Sequence, residues 1–266
     1  MNLAIAAPTL MVKPSQDKSN EDHMEESQIA GALAQIMPLA LNSLNLGQDC
    51  GSVGLIIVDE VNGFATVGAG YLAPAEPNAQ VSTMVSETNR LARQFSEKEW
   101  PILAFLDTHE PGRGEPPYPP HCEKGSGEEE LVPELKWLET NRNTTLVRKD
   151  CINGFIGAFG SDGKNAVVDW AYNNKLTDIL VVGICTDICV MDFVLTTLSA
   201  RNHGMLGSLK DIYVYEKGCA TYNLPRELAI ARDLPETAAH PQEVTHYMGL
   251  YFMASRGAKL VSSIIS

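Results

Sequence analysis

Four short apolar runs in this sequence end in residues able to do chemistry. "VGLIIVD" ends in Asp59, "WPILAFLD" ends in Asp107 with His109 close behind, "TTLVRK" ends in Lys149, and "DILVVGI" runs into "CTDIC", which carries Cys185 and Cys189. A polar residue at the end of one strand is as often a cap or loop anchor as a reactive group. Four together make a stronger case. With Thr186 or Asp187 as N-cap, Cys189 falls in the first turn of a helix, where unpaired N–H groups and the positive helix end favour thiolate and lower the thiol pKa. From position alone, a small buried hydrophobe is an equally good account of Cys189. As a nucleophile it needs a base, an orienting charge and an oxyanion site. Asp59 can take the proton if burial raises its pKa, and Lys149 can set a positive charge beside sulfur and carboxylate. The backbone N–H groups of Cys185 and Cys189 can hold a developing oxyanion, while the Cys185 side chain belongs to the turn.

Asp107, His109 and His121 form a second constellation, in "LDTHEPGRGEPPYPPHC". A carboxylate and an imidazole two residues apart, with another imidazole across a rigid loop, offer three O/N ligands and leave positions open. That set suits a divalent Zn, Fe or Mn that keeps water or binds substrate directly, with Glu115 as a further ligand. Two loop histidines at a surface are the plainer account.

The elements that must position these groups alternate. Six β-branched-rich runs, at Val53–Asp59, Trp100–Asp107, Thr144–Lys149, Asp178–Ile184, Asp211–Glu216 and Ala258–Ser263, read as strands. Segments of helical period lie between them, at Gln80–Glu97, Asn165–Asn174, Thr186–Asn202 and Pro241–Ala254, and apolar residues from Gln28 to Leu44 predict a first helix. Strand–helix alternation implies βαβ units, hence a three-layer α/β/α domain around a mostly parallel sheet of roughly six strands. In such sheets ligands bind at the carboxyl ends of strands, where all the residues above fall.

A chain of 266 residues with 44% hydrophobic and 20% charged residues can build one full core. We expect a disordered tail over residues 1–25 and a single domain over 26–266, with its core at about 53–263. The formal net charge of −13 repels phosphate backbones and anionic surfaces, so a small-molecule partner is expected rather than nucleic acid or membrane. No apolar run approaches the roughly 20 residues of a bilayer span. Six cysteines without a secretory signal pattern imply free thiols in a reducing compartment, the cytoplasm. Cys50, Cys122, Cys151 and Cys219 read as packing or loop residues, and His203, His240 and His246 as caps or solvated side chains.

"IIVDEVNGF", "LDTHEP", "PPYPPHC", "VRKDCINGF" and "VVGICTDICV" resemble, in order and spacing, the nicotinamidases of the isochorismatase-like cysteine hydrolase superfamily, most closely those of plants. The resemblance runs from about Val53 to Ser263. It implies an amidohydrolase acting on linear amides, which cleaves nicotinamide to nicotinic acid and ammonia through a thioester in NAD salvage. Asp59 would be the base, Lys149 the cationic stabiliser and Cys189 the nucleophile. The resemblance also implies a cis peptide before Cys185, a metal on Asp107, His109 and His121 that holds the pyridine nitrogen, and Phe64 and Tyr118 sandwiching the ring. Asn62 is implied as a further substrate-site residue, and a homo-oligomer is compatible with the family.

Three departures stand out. The family's common "DxQNDF" reads "DEVNGF", with Val61 for Gln and Gly63 for Asp. No histidine lies between His109 and His121, so Glu115 or water would complete the metal shell. The thiol in "TDIC" separates the chain from vinyl-ether hydrolases, which lack it. The alternatives are a related cysteine amidase for another small amide or ureido compound, and a catalytically silent scaffold.

Overall fold

The computed structural model describes residues 16–265, with side chains from Glu26 onward. Residues 1–15 of the expected tail, and the side chain of His23, lie outside the described part. In chain order the elements are α1 (Gln16–Ile36), β1 (Leu41–Asn45), β2 (Val53–Val58), α2 (Asn62–Ala65), α3 (Ala79–Glu97), β3 (Ile102–Asp107) and β4 (Thr144–Lys149). They continue with α4 (Gly154–Gly157), α5 (Ala166–Asn173), β5 (Asp178–Ile184), α6 (Met191–Asn202), β6 (Asp211–Ala220), α7 (Arg226–Ala231), α8 (Gln242–Ser255) and β7 (Lys259–Ile265).

The seven strands form one sheet in the order β1-β7-β6-β5-β2-β3-β4, and every pair is parallel. Parallel neighbours need crossover helices, and the sheet is therefore covered on both faces. Side chains alternate accordingly. Leu55 and Ile57 of β2 join Met84, Leu91 and Phe95 of α3 on one side, while Ile56 and Val58 join Val167 and Trp170 of α5 and Phe193 and Val194 of α6 on the other. From β2 the chain winds outward to β3 and β4, and from β5 it winds the other way to β6 and β7. The carboxyl ends of β2 and β5 are thus the switch point at which open α/β sheets bind ligands.

Two expectations change. The first helix begins at Gln16, within the expected tail, and ends at Ile36. It does not reach Leu44, because Pro38 lacks an N–H and disfavours helical backbone in the residue before it. Ile29 and Ile36 of the predicted apolar stripe are exposed. Leu41–Asn45 instead becomes the seventh strand, pairing with β7 at the sheet's edge. The helix expected over Thr186–Asn202 is also in two parts, a π-helical turn at Thr186–Val190 followed by α6. Neither Thr186 nor Asp187 caps it. Cys185 occupies that position without a side-chain cap, Thr186 Oγ1 is hydrogen-bonded to His246 Nδ1 at 2.8 Å, and Asp187 binds Thr221 and His240.

Gly183 shows how tightly β2 and β5 meet. Its φ is +132, and a Cβ built there would lie 2.1 Å from the Val58 carbonyl oxygen. Gly183→Ala is expected to destabilise the fold by about 3 kcal/mol, read from the midpoint of urea unfolding at unchanged m.

Candidate active site

β2 is followed by a residue that turns the chain. Asp59 has φ +54, a left-handed conformation that Asp tolerates better than most residues. It is fully buried. The next strand over, β3, is paired in register with β4 so that Asp107 lies opposite Lys149. Lys149 therefore reaches both carboxylates: Nζ is 2.8 Å from Asp59 Oδ2 and donates to Asp107 Oδ1 at 2.7 Å. Its ammonium is entirely out of solvent. Burial alone would push that group down, but Asp59, Cys189 and Asp107 outweigh it and hold Lys149 charged, well above its ordinary value.

Asp59 answers differently. Burial pushes its carboxyl up to about 6, against the pull of the Lys149 charge and the hydrogen bond from Cys189. Burial, reinforced by Asp59 and opposed by Lys149, also raises the Cys189 thiol well above its ordinary value. The expected depression by the helix end is reversed, because desolvation of a fully buried sulfur exceeds the field of a short turn. The thiol is protonated at rest, with a raised carboxylate beside it.

On the other side of Asp107 stand two imidazoles. His109 Nε2 is 3.0 Å and His121 Nε2 3.2 Å from Asp107 Oδ2, and all three side chains are buried. His121 Nδ1 donates to the Pro119 carbonyl at 2.7 Å, which directs the other ring nitrogen inward. One ligand atom from each residue lies within 4.8 Å of the others. Two imidazole nitrogens converging on one carboxylate oxygen fit a divalent cation. Glu115 stands just outside: Oε2 is 3.8 Å from both Nε2 atoms, and Oε1 accepts the Ile152 N–H at 2.7 Å.

Between the two groups opens a part-enclosed pocket lined by Cys185, Cys189, Asp107, His121 and Glu115, with Phe64, Tyr118, Tyr222, Leu72, Ile152 and Ile188 as its apolar walls. The peptide between Ile184 and Cys185 is cis, as the resemblance implied. A small, flat, largely apolar molecule fits this lining.

Residues 53–259 match the family of the isochorismatase domain. The chain belongs to that family. It is 56% identical over 213 residues to Nicotinamidase 1 of Arabidopsis thaliana, covering 80% of this chain and 86% of the relative. Among solved structures, nicotinamidase PncA of Bacillus subtilis superimposes with a TM-score of 0.59 at 22% identity, over 80% of this chain and 100% of its own. The pyrazinamidase of Pyrococcus horikoshii, solved in complex with zinc, does so at 0.55 and 21% identity, over 80% and 99%. These two likenesses establish the fold.

Within this isochorismatase-family frame, most residues singled out from sequence converge on the pocket. Asp59, Lys149 and His109 are not among its lining residues, and neither is Asn62. Its amide donates to the Gly127 carbonyl at 3.0 Å and accepts from Thr66 Oγ1 at 2.7 Å, so it fixes a turn. Leu72, Ile152, Ile188 and Tyr222 went unseen, since isolated apolar residues in loops carry no sequence signal. His240 is no solvated side chain, being bonded to Asp187. Gly63 has a steric reason: a Cβ there would meet Cys122 Sγ at 2.7 Å. The protonation pattern has a kinetic consequence. If Asp59 acts as base, kcat/KM falls about tenfold per pH unit below about 6, as its carboxylate is protonated. A pH–rate profile flat down to pH 4.5 would contradict this.

Proposed function

We propose that this protein is a nicotinamidase, hydrolysing nicotinamide to nicotinic acid and ammonia. The observation that supports it most is one aromatic-walled pocket bounded by Cys189 on one side and by the Asp107 and His121 donors on the other. A pyridine carboxamide has both complements, a reactive carbonyl and a ring nitrogen about one ring's width away. The 56% identity to an Arabidopsis nicotinamidase supports the same reading.

In this mechanism Asp59 takes the Cys189 proton as sulfur attacks the carboxamide carbon. The backbone N–H groups of Cys185 and Cys189 stabilise the oxyanion. Asp59 returns its proton to the amide nitrogen, the C–N bond breaks, and ammonia leaves a thioester on Cys189. Water then gives a proton to Asp59 and attacks the thioester. The C–S bond breaks, nicotinic acid forms, and the sulfur recovers its proton. Lys149 stays charged throughout and compensates the negative charge that moves between sulfur and carboxylate. Phe64 and Tyr118 are walls of the pocket that encloses the ring. Asp107, His109 and His121 would hold a divalent cation, zinc in this reading, which when bound supplies a Lewis-acid contact to the pyridine nitrogen. The product would enter NAD salvage in the cytoplasm. Among the described residues no helix is long and apolar enough to cross a membrane.

Ammonia release from nicotinamide and pyrazinamide, but not from N-carbamoylsarcosine, is expected with purified protein, and chelation should abolish it. Release from the ureido compound alone would mark a different amidase, and none at all a silent scaffold. Cys189→Ala should lower kcat at least about a thousandfold with the fold intact by circular dichroism. His109→Ala should lose metal on desalting and raise KM together, read by elemental analysis and steady-state kinetics.

A further inference from the structure

Tyr222 lines the pocket yet has no part in the chemistry above. It follows the end of β6, and its ring lies parallel to that of His240, with centroids 3.9 Å apart and planes 14° from each other. A ring stacked that closely on a partner cannot tilt toward it without a clash. The His240 ring is itself held at both nitrogens. Nδ1 is 2.9 Å from the Tyr222 carbonyl oxygen and Nε2 is 2.8 Å from Asp187 Oδ2. The backbone of His240 is held too, by paired hydrogen bonds with Leu224 at 3.0 and 2.7 Å.

Asp187 sits in the same π-helical turn as Cys189. Its second oxygen accepts from Thr221 Oγ1 at 2.7 Å, next to Tyr222 in the chain. One carboxylate therefore joins the nucleophile's turn to His240 and to the residue that precedes Tyr222. Gly249 of α8 closes over that turn, leaving it no room to shift: a Cβ there would lie 2.8 Å from Asp187 Cα.

We propose that Tyr222 is a specificity-determining wall of the amide pocket, selecting planar rings, and that His240, clamped by Asp187, is the positioning residue that sets its plane. The inference rests on the reading of the pocket as an aromatic-amide site. A flat ring lies against Tyr222, whose other face His240 supports. A puckered ring of the same size cannot match that plane and loses the contact. Because Asp187 belongs to the turn of Cys189, a ring seated on Tyr222 is held at a fixed offset from the sulfur.

The test uses benzamide and cyclohexanecarboxamide, which share the amide and differ in planarity, and neither of which has a ring nitrogen. Their dissociation constants are measured by calorimetry on the full-length protein, with nicotinamide turnover followed in parallel. The parent should prefer benzamide by about tenfold, the scale of one good ring contact. In Tyr222→Leu and in His240→Asn that preference should fall to within about twofold, with nicotinamide KM raised and kcat within about threefold. His240→Phe keeps a ring without the Asp187 bond, and should keep the preference even if its thermal midpoint drops. Should Tyr222→Leu fail to fold, the contrast between His240→Asn and His240→Phe decides. A preference unchanged in the folded leucine or asparagine variant overturns the inference, as does a collapse of kcat at constant KM in His240→Asn. A parent that binds both compounds alike overturns it as well. A parent that discriminates between them but releases no ammonia from nicotinamide instead refutes the proposed reaction and leaves the ring-selecting wall standing.

Discussion

A lysine with no solvent contact organises this molecule. Taking an ammonium out of water costs several kcal/mol even after relaxation, and Lys149 offsets that only by holding two carboxylates at once, Asp59 at 2.8 Å and Asp107 at 2.7 Å. Remove it and two buried carboxylates are left without a cation, which would drive one of them to take up a proton. The sheet delivers all three groups to one place. Asp107 and Lys149 are direct partners across β3 and β4, and the Asp59 N–H donates to the Phe105 carbonyl at 3.1 Å, tying the end of β2 to the same level. Parallel register thus does what a flexible loop cannot: it fixes three charges at one carboxyl edge before any side chain chooses a rotamer.

The two carboxylates then diverge although they share one lysine. Burial dominates at Asp59 and lifts it to about 6. Asp107 is buried as well, but the Lys149 charge and hydrogen bonds from both histidines hold it well below the usual carboxylate range. One becomes a group that can exchange a proton near neutrality, and the other a permanent anion. That is the division of labour expected where paired acids must serve different ends. The protonated thiol fits the same scheme. A buried thiolate beside Asp59 would place two negative charges against one ammonium, so proton transfer and attack are best coupled in one event.

Much of this was legible because reactive residues sat at the ends of apolar runs. Runs such as "VGLIIV" and "ILAFLD" are buried at every position, and strands covered on both faces leave an unmistakable continuous signal. β1 was invisible for the opposite reason: "LNSLN" is mostly exposed at the sheet's edge and carries no β-branched residue. The π-helical turn was missed because a single irregular turn leaves the helical spacing after it almost intact. The Asp187–His240 pair spans 53 positions, and nothing in either residue's neighbourhood hints at the other. Electrostatics were the least legible of all. Position alone suggested a lowered thiol, whereas its pKa is set by burial, a property of the assembled pocket.

The departures at Val61 and Gly63 show why two halves of the site behave as one. The strand end that leads into Asp59 continues through Glu60 into Val61, Asn62 and Gly63. Asn62 N–H donates to the Glu130 carbonyl and Gly63 N–H to the Glu128 carbonyl, while Glu128 in turn accepts the Cys122 N–H at 3.0 Å. Cys122 follows His121 directly, and Phe64 lies 5.6 Å from the His121 ring. The turn after Asp59 is therefore stitched to the loop that presents His121. An aspartate at position 63 would bring a Cβ into Cys122 Sγ and Glu128, so glycine here permits the close backbone approach on which that stitching depends. Asp59 and His121 are held in one frame from two directions, through Lys149 and Asp107 and through this turn. Movement at either group must strain the other, which suits a reaction in which a ring held at one end has to present its amide to a thiol at the other.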